Sequence, residues 1–135
     1  MGDLKPRGVT VTLEGAGERH LLFDFNVIEA LQDKYEKSLW EIMNDIVNNS
    51  QKKGTWENIP MFRFVLATLL NAECERARLL HGEEIPAVEE RDVGCMVGID
   101  NYGEVLKAIL KAYGISMPEP EQPEDPNAKS GQQNQ

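Results

Sequence analysis

From Met61 to Leu70 the chain reads Met-Phe-Arg-Phe-Val-Leu-Ala-Thr-Leu-Leu, apolar on nearly every side of a helix. A helix of this kind has to be covered over most of its circumference. The rest of the chain can therefore be read for what covers it. Asn58-Ile59-Pro60 supplies the start, since proline is tolerated in a first helical turn. Beyond Asn71 the same helix becomes amphipathic, with Glu73, Glu75, Arg76 and Arg78 expected as surface charges. It is expected to stop near His81-Gly82.

The covering elements come from both flanks. Val9-Thr10-Val11-Thr12-Leu13 alternates apolar and polar with a period of two, in β-prone residues. Gly15-Ala16-Gly17-Glu18 signals a turn, and Arg19 to Phe23 reads as a second strand. A lone hairpin is marginal in water and must pack on something. Asp24 and Asn26 are good N-caps for a helix whose Ile28, Leu31 and Tyr35 share one face. Ser38-Leu39-Trp40-Glu41 matches the capping box and opens a helix with a stripe of Leu39, Ile42, Met43, Ile46 and Val47. Gln51 to Glu57 is a polar loop. Pro86 to Val97 reads as a short helix with Val93, Met96 and Val97 facing inward. Asn101 is placed to cap a last helix carrying Tyr102, Val105, Leu106, Ile109, Leu110 and Tyr113, and Gly114 stands where a C′ glycine is expected.

The predicted architecture is α+β: an N-terminal β-hairpin packed on a mainly helical bundle of about five helices. A chain of 135 residues suits one such domain, here residues 8–116. Residues 1–7 are expected to be a flexible N-terminus. Residues 117–135 are Pro, Glu, Gln, Asn, Ser and Gly with almost nothing to bury, which predicts a disordered tail. The expected core includes Leu31, Ile42, Phe62, Val65, Leu69, Leu106 and Leu110.

Charge narrows the partners. A net charge of −9 repels phosphate backbones and anionic lipid, so neither nucleic acid nor membrane is expected as a partner. No apolar run approaches the roughly 18 residues of a membrane span. The opening residues lack the apolar stretch of a secretory signal. Cys74 and Cys95 are expected as reduced thiols in a cytoplasmic protein.

The residues that usually carry chemistry do not converge in the sequence. His20, His81, Cys74 and Cys95 contain no close Cys or His pair, so neither a metal nor another cofactor is expected. Cys74 and His81 would share a helix face seven residues apart, but core cysteines commonly pack as small hydrophobes. Neither a GxSxG elbow nor a GxxxxGK[ST] loop occurs, and Gly15 and Gly17 belong to a hairpin turn rather than a dinucleotide fingerprint. Glu83-Glu84 and Glu89-Glu90-Arg91-Asp92 lack calcium-loop spacing and read as solvated helix ends. A non-enzyme is expected. Trp40 lies off the apolar stripe of its helix and Trp56 lies in a polar loop, so these two are the candidate protein-binding anchors. The bland alternative is that each covers a gap between helices.

The run Glu18-Arg19-His20-Leu21-Leu22-Phe23-Asp24-Phe25-Asn26, leading into Val27 to Glu36, resembles the opening of the tail assembly chaperones of long-tailed bacteriophages and prophages. Trp40 to Val47, Phe62 to Leu70, Asn101 to Tyr113 and the polar tail follow in that family's order, although Val27 stands where many members carry Ala. The resemblance implies a non-catalytic protein of the host cytoplasm, not expected in the mature virion. It implies a tape measure protein as partner, kept soluble until tail tube subunits, a further possible partner, polymerise around it. The alternative is a small structural adaptor of the phage particle.

Overall fold

The computed structural model describes residues 7–48 and 55–116. The expectations for the extreme N-terminus, the 117–135 tail and most of the polar loop after Asn48 lie outside the described residues. Within them, two strands, β1 (Val9–Leu13) and β2 (Gly17–Leu21), precede five helices: α1 (Phe25–Tyr35), α2 (Leu39–Asn48), α3 (Ile59–His81), α4 (Glu90–Met96) and α5 (Tyr102–Ser116). The fold class is α+β, as the periodicities predict.

Helix α3 is the axis of the domain. Along it Phe62, Val65, Leu66, Ala67, Leu69, Leu70, Ala72 and Ala77 are buried. Helices α1 and α4 and strand β2 lie against it, while α5 covers the hairpin. Each large side chain fully removed from water contributes about 1.5–3 kcal/mol. The core is continuous from Leu13 and Leu21 through Leu31, Ile42 and Ile46 to Ile109. Gly82, at φ 64°, ends α3, and its N–H donates to the Arg78 carbonyl at 3.1 Å.

Local signals explain most element starts. Asp24 Oδ1 accepts from Val27 N at 2.9 Å, so Asp24 and not Asn26 is the cap of α1. The Ser38/Glu41 capping box forms: Ser38 Oγ accepts from Glu41 N at 3.1 Å, and Glu41 Oε1 accepts from Ser38 N at 3.0 Å. The hairpin turn is tighter than its glycines suggest. β2 starts at Gly17 and ends at Leu21, because Leu13 pairs with Gly17 across a three-residue loop. Gly15 (φ 88°) and Gly17 (φ 76°) hold the positive φ that this loop requires.

Other boundaries and faces differ from expectation. Helix α4 starts at Glu90 and not Pro86, capped by Glu89 and Asp92, and only its Val93 is fully buried. Helix α5 runs to Ser116, straight through Gly114, which is therefore no terminator. Asn101 does not cap α5 through its side chain, which turns back to the preceding loop. The buried stripe of α5 is Val105, Ile109 and Ala112, leaving Leu106 and Leu110 half-buried. On α2, Val47 is exposed, since eight residues at 100° each carry it about 80° off the line of Leu39.

The largest departure is Glu73, expected on the surface and found buried. The inner face of the hairpin carries Arg19 directly opposite Val11, so a guanidinium enters the interior. Arg19 Nε donates to Glu73 Oε1 at 2.5 Å and its Nη2 to the Leu70 carbonyl at 2.8 Å. Glu73 also accepts the His20 N–H at 3.1 Å and His20 Nδ1–H at 2.7 Å. Burial pushes the Glu73 pKa up, but the hydrogen bonds from His20 and Arg19 outweigh it and hold the group below the ordinary 4.5. Arg76, another expected surface charge, is half-buried, donating to Asp24 Oδ2 at 2.8 Å and to the His20 carbonyl at 3.3 Å.

Two outcomes test this fold. Leu69→Ala should lower the unfolding free energy by about 2–5 kcal/mol in a denaturant titration, as for other fully buried leucines; a loss below about 0.5 kcal/mol would mark a surface site. The second concerns pH. Because Glu73 has a lower pKa folded than unfolded, the unfolded chain binds more protons at acid pH, and the stabilisation is complete above about 4.5 and lost as pH falls through the lowered value. Urea unfolding should show Glu73→Gln well below wild type at neutral pH, with the gap narrowing as pH falls below about 4.5. A gap that stays constant with pH would contradict the paired carboxylate.

Candidate binding groove

An apolar groove of about 320 Å³ opens where the first turn of α3 meets α4 and the start of α5. Trp56 leads into it just ahead of α3. Ile59, Phe62 and Arg63 line it from α3, and Val93, Gly94 and Val97 from α4 and its end. The turn before α5 adds Gly98 and Ile99, and Tyr102 closes the floor.

Aromatic packing and two asparagines hold the walls. Tyr102 meets Trp56 edge-on with ring centroids 5.0 Å apart, and Phe62 at a 53° tilt, 4.9 Å away. Asn58 donates to the Ile46 carbonyl and to the Tyr102 hydroxyl, both at 3.0 Å, tying the end of α2 to the start of α5. Asn101 braces the other wall: its Oδ1 accepts from Gly98 N at 2.8 Å and its Nδ2 donates to the Met96 carbonyl at 3.0 Å. The turn Gly98–Asn101 is thereby fixed, and it carries Ile99 at its tip with 81 % of its surface exposed. Ile99 thus stands in water beside the apolar lining of the groove.

The electrostatics of the groove are as distinctive as its shape. Among the described residues the buried side-chain atoms without a hydrogen-bond partner are Asn58 Oδ1 and Arg63 Nε. A sealed, unpaired donor costs about 1–3 kcal/mol. Arg63 packs beside Gly94: a Cβ at residue 94 would stand 3.4 Å from Arg63 Cδ, at the edge of ordinary contact. Arg19, Arg76 and Lys37 have carboxylate partners, whereas Arg63 makes no ion pair among the described residues.

Of the two tryptophans, Trp56 is half-buried and shares in the groove, so it combines the gap-covering and lining roles. Trp40 is 62 % exposed on α2 and does not line the groove. The structure does not bring the two to one site. Ile59, Arg63 and Ile99 escape sequence reasoning: Ile59 passes as the first residue of a buried helix, and Ile99 is a single apolar residue in a polar turn. The visible signal is the Gly98-Ile99-Asp100-Asn101 turn, with an isoleucine where turn residues are normally polar. Elsewhere Phe25 is 88 % exposed, and Leu79 and Leu80 are exposed near the end of α3. A smaller concavity beside Leu79 is lined mostly by polar and charged residues, and its Arg76 and Asp24 are already paired.

Among the described residues no three His, Cys, Asp or Glu side chains converge as metal ligands, and no helix is long and apolar enough to cross a membrane. His20 is committed to Glu73. Comparison of the chain with protein-family models, with curated proteins and with solved structures finds no match. The arrangement is suited to receiving an apolar side chain from another molecule.

The tryptophan environments can be checked separately. With Trp56→Phe, the remaining Trp40 should emit as a solvent-exposed indole and be quenched efficiently by acrylamide. With Trp40→Phe, the remaining Trp56 should emit further to the blue and be quenched less. Equal quenching in the two variants would contradict the placement.

Proposed function

We propose that this chain is a tail assembly chaperone that binds the tape measure protein of a long-tailed phage or prophage and keeps it soluble until tail tube subunits enclose it. The observation that carries the reading is the braced apolar groove with Ile99 at its lip, on a fold whose opening residues, Leu22 to Asn26, resemble that family. A client of long amphipathic helices offers apolar side chains at helical spacing, and helix-in-groove recognition uses such side chains as anchors. The acidic surface favours solubility of a coated client. A single groove of about 320 Å³ would make each contact modest, which suits a protein that has to be stripped off later. Tight overall coverage then comes from many copies on one client. Trp40 supplies a second exposed anchor on a different helix.

Co-expression with a tape measure protein, the long helical client that this reading requires, is the test. The client should be insoluble alone and soluble with this chain. Ile99→Asp and Trp40→Ala should each reduce the soluble fraction severalfold while leaving the melting temperature nearly unchanged, since both sites are exposed. Purified phage particles should lack the protein. Failure of the wild type to solubilise the client would remove the chaperone reading, and its presence in particles would favour the structural adaptor.

A further inference from the structure

The groove contains one feature that a purely apolar anchor leaves unused. Arg63 lies along its wall, packed beside Gly94, with a buried Nε and no ion pair among the described residues. Among the described residues Arg19, Lys37 and Arg76 are ion-paired, and of the basic side chains without a carboxylate partner Arg63 is the one with a buried, unbonded nitrogen. A guanidinium is planar, always charged and geometrically matched to carboxylate, and it is less strongly hydrated than an ammonium, so it pairs well in partly desolvated sites. The low dielectric of an apolar groove strengthens such a pair once water is displaced.

We propose that the groove selects a helical segment of its partner bearing a carboxylate three or four residues from a large apolar side chain. The carboxylate pairs with Arg63, and the apolar side chain fills the space between Trp56, Phe62, Val93 and Ile99. This deepens the docking reading given above and rests on it. Three or four positions place two side chains on the same helix face about 5–6 Å apart, within the span of one groove. Charge complementarity thus makes the partner segment acidic at one position, even though the chain as a whole is acidic and would repel an acidic partner at long range. Arg63 is the element that sets which segment docks.

Selection from a displayed library of 18-residue helix-forming peptides, panned on the full chain, tests this. The enriched peptides should carry Glu or Asp three or four positions from Leu, Phe or Trp. The best of them should lose about tenfold in affinity when that acid is changed to Gln, by calorimetric titration. With Arg63→Met the two peptides should bind equally, and with Arg63→Glu panning should enrich Lys or Arg at that position. Ile99→Asn, which removes the apolar lip without adding charge, should weaken both peptides alike, and so separates loss of the apolar lip from loss of the charge. Melting curves of each variant verify that it is folded. The proposal is overturned if panning enriches nothing, if the enriched peptides show no acidic position, if the Glu-to-Gln loss persists in Arg63→Met, or if a small amphipathic carboxylate such as decanoate binds the groove while peptides do not. A carboxylate-dependent peptide with no solubilisation of the long helical client keeps this inference and removes the chaperone reading. Solubilisation that is indifferent to Arg63→Met does the reverse.

Discussion

The carboxylate of Glu73, buried on α3 and held by Arg19 and His20 of the hairpin, is the interaction on which the arrangement of this domain depends. Helix α3 is apolar over most of its first half and needs cover. The hairpin provides part of that cover, but its inner face carries an arginine that must be neutralised. Glu73 does this, and Arg19 completes its donor set on the Leu70 carbonyl. A buried ion pair contributes little net stability relative to apolar residues, but leaving one partner alone costs about 3–5 kcal/mol. Its effect here is on specificity. A one-residue slip of β2 would turn Arg19 and Leu21 to the opposite face and break the Arg19–Glu73 pair. The ion pair thus adds to the burial of Val11, Leu13 and Leu21 in fixing which face of the hairpin meets α3. Arg76 extends the same junction to Asp24, which caps α1, so the order hairpin, α1, α3 is tied at one place.

Much of this was legible in the sequence because it follows from period and capping alone. The alternation of Val9 to Leu13, the apolar run from Met61 to Leu70 and the Ser38/Glu41 box each state a local preference that the fold keeps. What was not legible depends on partners distant in sequence. Glu73 and Arg76 look like ordinary surface charges until Arg19 and Asp24, more than fifty residues earlier, are placed beside them. The buried stripe of α5 runs through Ala112 and leaves the larger Leu106 and Leu110 half-buried, a choice that side-chain hydrophobicity alone does not make. Gly114 reads as a stop, yet the helix passes through it.

The groove was only partly readable for the same reason. Trp56 stood out as an aromatic residue in a polar loop, but its neighbours Ile59, Val93 and Ile99 come from three segments that only the fold brings together. Trp40 was correctly singled out as lying off its helix stripe and is exposed, but it stands apart from the groove. In the proposed chaperone role the two tryptophans would then contact different parts of a client, which is compatible with a protein that coats a long helix in many copies.

Hydrogen–deuterium exchange on the full chain, alone and in complex with the co-expressed long helical protein, tests the groove as the docking surface most directly. Added protection should concentrate in residues 56–63 and 93–102, the segments that form the groove, with the outer face of α1 unchanged. Protection confined to α1, or a complex that leaves residues 93–102 exchanging as in the free protein, would contradict the account.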